Sequence, residues 1–322
     1  MSAQPPTEPP TGLPGLPPAV LGFRSRGEEW EPWVDALPEL RRYLLEEWEL
    51  ELDGVAMYGY CALVHPVRTA AGERAVLKLS GPTWDGEQEH LALRLWSGRG
   101  AVRLLRADPH RWALLLETAD AGHDLNTLPD LEACAAVARL YGDLHVVAPP
   151  QLRLLSDQAR RWSAELRALP AAAPLPRRYV EQAAELAGGL AAEPACDGQL
   201  VHTDLHYDNV LASLRDDTSD DNSGEWLAID PKPLSGDPHF EVAPLLWNRW
   251  DELVATGDVR AAIRARFHTV VDTAGLDEAR ARDWVAVREL VNAMWALTAG
   301  DVVADGDGFI SQCVTITKAV LD

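Results

Sequence analysis

Residues 202–209 read HTDLHYDN, which sets two histidines, two aspartates and an asparagine within eight positions. Two chemistries fit that stretch. His202, Asp204, His206 and Asp208 alternate with other residues and are all able to ligate a divalent ion, as in a hydrolytic metal site. Alternatively the stretch is a phosphoryl-transfer loop, in which Asp204 handles an acceptor hydroxyl and Asn209, five residues on, holds magnesium.

The rest of the chain bears on the choice. The segment EWLAIDP puts Asp230 at the end of a short apolar run, 21 residues after Asn209. A carboxylate arriving there completes an all-oxygen magnesium shell with Asn209, and oxygen donors suit a hard cation. A zinc hydrolase needs histidines converging from several segments, yet the nine histidines form no second cluster and no H-E-x-x-H. Upstream, AVLKLS places Lys78 between apolar neighbours in a strand, and Glu89 follows 11 residues later on the next helix. A strand lysine paired with a helix glutamate is a way to fix the α- and β-phosphates of ATP. The turn from Gly54 to Gly59 falls short of a full G-x-G-x-x-G.

These residues need elements to hold them. Residues 1–18 contain seven prolines and no apolar period, which predicts a disordered tail over 1–20. From Glu28 to Trp48 apolar residues recur every three or four positions, predicting a helix or a helix pair broken near Pro38. WELELDG, YCALVHPV and AVLKLS predict three consecutive antiparallel strands. A helix follows from about Asp85, with Asp85 as N-cap, and AVRLLRAD and RWALLLE predict two further strands. Beyond ADAGHDL the pattern turns helical, over 130–147, 151–169 and 177–192, interrupted by the short apolar runs QLVH and EWLAID that flank the opening motif. The expected class is therefore α+β, with a sheet-rich N-terminal lobe over 21–120 and a larger, mainly helical C-terminal lobe over 121–322.

Composition narrows the partners. Of 322 residues 47% are hydrophobic, ample for a core, and no apolar run approaches the roughly 18 residues of a membrane span. The N-terminus lacks the features of a signal peptide, so the reading is a cytoplasmic protein without membrane association. Fifty acidic against 29 basic residues give a formal charge of −21, which disfavours nucleic acid and attracts cations. Cys61, Cys134, Cys196 and Cys313 lack C-x-x-C spacing and read as buried thiols.

With these parts in order, the sequence resembles the aminoglycoside phosphotransferases, within them the streptomycin 6-kinase and hydroxyurea phosphotransferase branch. The resemblance runs from about residue 28 to 320 and is carried by LVHTDLHYDNVLA, WLAIDPKPLSGDPHFEVAPLLWNR, AVLKL and GRGAVRLL. It implies a protein-kinase-like bilobal fold and a monomeric enzyme that uses ATP and Mg2+ to phosphorylate a small cationic acceptor. By the same resemblance Asp204 is the catalytic base, Asn209 and Asp230 are magnesium ligands, Lys78 and Glu89 form the phosphate-positioning pair, and Gly59 belongs to the nucleotide turn. Glu117 to Ala119 are the hinge whose backbone meets adenine, and His202 is structural. Three departures stand out: Glu241 where the family has Asp, a longer polar segment SLRDDTSDDNSGE expected as a solvated hairpin extension, and Glu87 competing with Glu89 on the helix.

The resemblance implies a polycationic acceptor, and guanidinium groups call for carboxylates that can accept paired hydrogen bonds. Asp251 and Glu252, and Glu289 with Asn292 and Trp295 on the following helical pattern, are the residues expected to line the acceptor site. Two rivals remain: a kinase for another hydroxylated amine, an amino sugar or hydroxyurea, and a pseudokinase-like module that binds without turnover. The intact set Lys78, Asp204, Asn209 and Asp230 argues against the second.

Overall fold

The computed structural model describes residues 15–83, 86–215, 226–298 and 306–322. The expected N-cap Asp85, most of the predicted tail and most of the polar extension after Ser213 lie outside the described residues. The chain forms two compact units, one from residues up to Glu87 with Leu105–Thr118, the other from Gln88–Leu104 with Ala119–Asp322.

The first unit opens with helices α1 (Pro18–Gly22) and α2 (Trp30–Glu47). Its strands are β1 (Glu51–Leu52), β2 (Met57–Tyr58), β3 (Ala62–Arg68), β4 (Arg74–Ser80), β5 (Leu104–Asp108) and β6 (Ala113–Glu117). They make a six-stranded sheet in the order β1-β3-β4-β6-β5, with β2 pairing on β3. The predicted strands are present, AVRLLRAD only in its second half, and the VAMYG interruption contributes the extra strand β2. Helix α2 runs unbroken through Pro38, contrary to the expected break. Pro38 lies on the exposed face, where water can satisfy the carbonyl that loses its donor.

Side chains alternate across β4. Ala75, Leu77 and Leu79 enter a core with Val34, Leu37 and Leu44 of α2 and Leu63 of β3. Lys78 therefore stands on the other face of the sheet, between Val64 and Leu114 in the register, and is nonetheless buried.

The second unit begins with α3 (Glu89–Trp96) and continues through β7 (Asp120–Asp124), α4 (Asp130–Leu144), α5 (Leu155–Ala168) and α6 (Arg177–Leu190). After β8 (Gln199–Val201), β9 (Val210–Ala212), β10 (Trp226–Ala228) and β11 (Leu234–Gly236) come α7 (Pro244–Trp247), α8 (Trp250–Ala255), α9 (Val259–Ala274), α10 (Glu278–Thr298) and α11 (Gly306–Leu321). The strands form two small sheets, β10-β9-β7 and β11-β8. A core of α5, α6, α10 and α11 side chains, including Trp162, Trp284, Leu290 and Cys313, supports them.

Two features depart from the simple cut at residue 120. Helix α3 groups with the second unit, because the Trp96 ring lies parallel to that of His202 at 6.1 Å and its indole N–H donates to Leu144 O at 2.8 Å. AVRLLRAD is not one strand: Val102 N–H donates to Ala228 O at 3.1 Å and Ala228 N–H to Gly100 O at 2.9 Å, while only Leu104–Asp108 joins the first sheet. Gly100 adopts φ 62, and a Cβ there would lie 3.0 Å from Asp143 Cβ, so the glycine of GRGAVRLL permits this close crossing.

Candidate active site

The HTDLHYDN stretch is the loop from β8 into a 3-10 turn, Tyr207–Asn209, that leads directly into β9. Both sheets hold it. Its partner segment, 229–233, leaves β10 and enters β11, so each end of the loop lies beside a strand of the returning chain. Ile229 N–H donates to Asn209 O at 2.9 Å, and Lys232 N–H donates to His202 O at 2.9 Å. This ladder places Asn209 and Asp230 one residue apart across paired backbone.

His202 is not a metal ligand in this arrangement. It is fully buried, its Nε2–H donates to Ile229 O at 2.9 Å, and its Nδ1 accepts the Asp204 N–H at 3.3 Å. Burial lowers its pKa and keeps the ring neutral, in agreement with that tautomer. Among the described residues no group of three or more His, Cys, Asp or Glu is arranged to hold a metal ion. These observations answer the opening alternative against a histidine-rich metal site.

Asp204 is half-buried. Burial raises its pKa, while His206, His202, Arg288 and Lys232 oppose the rise by stabilising the anion. Asn209 donates through Nδ2 to Asp204 O at 2.8 Å and lies 3.1 Å from His206 Nε2. That commitment of the amide nitrogen leaves the amide oxygen as the branch suited to a cation. Asp208 accepts from Asn126 Nδ2 at 2.6 Å, and His206 Nδ1 stands 3.6 Å from the other Asp208 oxygen, so these two residues shape the loop. Tyr207 is fully buried, its hydroxyl 3.3 Å from Leu245 O and 3.1 Å from Cys134 Sγ.

Two backbone positions here lie in the left-handed region, Thr203 at φ 65 and Asp230 at φ 55. A β-branched residue rarely adopts this conformation, and it persists only when its surroundings enforce it. Glu241 enforces it at Thr203. The Glu241 carboxylate is fully buried and accepts the Thr203 N–H, with His145 Nε2 3.5 Å from its second oxygen. Tyr141 OH donates to Glu241 O at 2.9 Å, and Thr203 Oγ1 donates to Lys232 O at 2.7 Å. The longer glutamate thus still reaches the loop from the 3-10 helix Pro238–Val242.

The remaining expected residues are distributed as follows. Lys78 is in the first unit on β4, and Glu89 is in the second, buried at the first position of α3. Glu87 is exposed and precedes α3, so the two glutamates do not lie on one helix. Gly59 lies in the β2–β3 hairpin, where its N–H donates to Ala62 O at 3.1 Å. Glu117 ends β6 opposite Ala75, and Ala119 begins the second unit.

The acceptor residues need correction. Glu289 is fully buried beside Cys313 in the helical core, where burial raises its pKa to about 8, and Asn292 is also buried. Neither presents a carboxylate or amide to a soluble acceptor. The reason is helical geometry: at 100° per residue, Trp295 lies far round α10 from Glu289. Trp295 is 38% exposed, and the residue that shares its face is Arg288, seven positions earlier. The Arg288 guanidinium lies 5.5 Å from the Trp295 ring, 5.7 Å from Trp247 and 5.0 Å from Phe240, close enough to influence Asp204. The Arg288–Trp295 heptad spacing was legible and was missed. Asp251 is exposed, and Glu252 receives both Nε and Nη2 of Arg249, at 2.8 and 2.6 Å.

An antiparallel-sheet unit, a mainly helical unit and an H-x-D-x-x-x-x-N loop paired with a strand-end aspartate define a phosphotransferase of protein-kinase-like fold. The chain belongs to the aminoglycoside/hydroxyurea antibiotic resistance kinase family, whose model matches residues 47–300. It is 41% identical to a streptomycin 6-kinase of Streptomyces glaucescens over 94% of this chain and 95% of that protein. It is 39% identical to a hydroxyurea phosphotransferase of Kitasatospora aureofaciens, over 87% of this chain and 79% of that one. Among solved structures it is similar to aminoglycoside phosphotransferase APH(4)-Ia in ternary complex with ADP and hygromycin B, with TM-score 0.56, 16% identity and coverage of 88% and 99%. The choline kinase LicA of Streptococcus pneumoniae gives TM-score 0.59 at 12% identity, with coverage of 87% and 99%.

Proposed function

We propose that the protein transfers the γ-phosphate of ATP to a hydroxyl of a streptomycin-like aminoglycoside, with Mg2+ as the metal, and so confers resistance. The observation that carries this reading is the paired backbone of 202–209 and 229–233, which aligns Asp204, Asn209 and Asp230 on one small frame. The streptomycin 6-kinase of Streptomyces griseus, 38% identical over 86% of this chain, supports the acceptor class together with its glaucescens counterpart.

In this reading Asp204 accepts the proton of the attacking hydroxyl and orients it, and its partial burial makes it a better base than a solvated carboxylate. Asn209 and Asp230 would hold the metal, which when bound would neutralise phosphate charge. The donor set fits: one amide oxygen and one carboxylate, and that carboxylate already holds a cation, the Lys232 ammonium, at 2.7 Å. Lys78, Glu89 and Gly59 serve the nucleotide phosphates, and Glu117 to Ala119 serve the base. Asp251, Glu252 and the exposed part of Trp295 remain the acceptor-binding residues, and the net charge of −21 favours a cationic acceptor.

The test is an ATP-consumption screen over streptomycin, other aminoglycosides, hydroxyurea and amino sugars. Turnover of streptomycin with an acceptor KM that rises with ionic strength is the expected result. Turnover of hydroxyurea alone would instead favour the second relative as the functional guide. Phosphorylation of only an uncharged hydroxylated compound would overturn the aminoglycoside reading.

A further inference from the structure

Lys232 lies in the run Asp230-Pro231-Lys232-Pro233, where a proline on each side restricts the backbone. That backbone is tied twice to the catalytic loop. Its N–H donates to His202 O at 2.9 Å, and its carbonyl accepts Thr203 Oγ1 at 2.7 Å. The side chain consequently starts from a fixed point, and its ammonium meets Asp230 Oδ1 at 2.7 Å with only 12% of the side chain exposed. The same charge also helps stabilise the Asp204 anion. An ammonium this enclosed has given up most of its hydration, and it is seated on Asp230 within electrostatic reach of Asp204.

We propose that Lys232 binds the terminal phosphoryl group of the nucleotide, and that it rests on Asp230 as a stand-in cation until a divalent ion takes that carboxylate. The inference deepens the phosphotransferase reading and rests on it. A divalent ion on Asp230 would repel the ammonium and weaken its hold on that carboxylate. Once displaced, the ammonium keeps its fixed origin and three donors. The anion that arrives at Asp230 with the ion is the phosphate chain, so its terminal oxygens are the nearest new acceptors. ADP lacks that terminal group, and Lys232 therefore distinguishes the two nucleotides.

Calorimetry on the full chain with MgATP and MgADP, and titration with Mn2+ alone followed by electron paramagnetic resonance, test this. Lys232→Met is expected to lose its preference for ATP over ADP by on the order of tenfold, with ADP affinity little changed, and to bind Mn2+ more tightly than wild type. Lys232→Arg, which keeps the charge, should recover part of the preference. Equal weakening of both nucleotides would make Lys232 structural and overturn the proposal. An unchanged ATP-to-ADP ratio with tighter Mn2+ binding would overturn it as well, leaving Lys232 a counter-ion only. Should Lys232→Met fail to fold, Lys232→Gln is judged by the same ratio. If wild type binds no nucleotide, the phosphotransferase reading falls; if wild type binds it and the variant ratio is unchanged, only Lys232's role falls.

Discussion

The Glu241 carboxylate accepts the backbone N–H of Thr203, the residue immediately before Asp204, and so holds that position from outside the loop that carries it. Burial alone would raise the Glu241 pKa, but the hydrogen bond and charge of His145, with His202 and the Thr203 N–H, hold it below the ordinary glutamate value. Thr203 is thereby kept at φ 65.

Removing that carboxylate should strand a buried N–H and relax Thr203. Glu241→Ala is expected to cost on the order of 1–3 kcal/mol in urea unfolding and to lower kcat more than it raises KM for ATP. Because the folded pKa is depressed, the stability from the Glu241 charge is present above the unfolded value of 4.5 and is lost as pH falls through the folded value. The stability gap between wild type and Glu241→Gln should accordingly narrow on acidification below pH 4.5.

Asp204→Asn should abolish transfer while sparing the fold and nucleotide affinity if, as proposed, Asp204 acts on the acceptor. A fall in kcat of about 10²-fold or more is expected for loss of a general base. Wild-type turnover by this variant would refute the assignment of Asp204.

Asp230→Ala should behave differently, removing magnesium-dependent ATP binding together with turnover. Calorimetry with and without Mg2+ separates the two variants. Unchanged MgATP affinity would remove Asp230 from the metal site.

Glu289→Gln examines the buried acid on α10. Burial raises the folded pKa of Glu289 from 4.5 to about 8, so the folded chain binds the extra proton between those values. Stability from this group is present below the unfolded pKa and is lost as pH rises toward 8. Glu289→Gln should therefore gain on wild type by up to about 1.4 kcal/mol per pH unit across that window, read from urea midpoints at several pH values. A constant difference from pH 5 to pH 8 would contradict the burial argument.

The positions that are legible in sequence are those set by local spacing. Asp204 and Asn209 share one loop, and Lys78 lies in a strand between apolar neighbours, as AVLKLS predicts. The failures are cases where neighbours far along the chain decide. Pro38 stays helical because its face meets water, GRGAVRLL is divided between two sheets by Ala228, and Glu289 is enclosed by α11, whose approach leaves no trace in the α10 sequence. Lys232 follows Asp230 by two residues in the sequence, but only the fold brings Thr203 and His202 against its backbone.

All four cysteines are buried, and burial pushes the thiols of Cys134 and Cys196 up to about 11 and about 12. Alkylating reagents attack thiolates, so the native chain should be nearly silent toward maleimides near neutral pH. An introduced cysteine at exposed Tyr60 in the first unit, or at exposed Leu131 in the second, would then be the dominant labelling site without any prior removal of native thiols. A dye at each position would make the separation of the two units readable by energy transfer, one molecule at a time, while nucleotide and antibiotic are added and withdrawn.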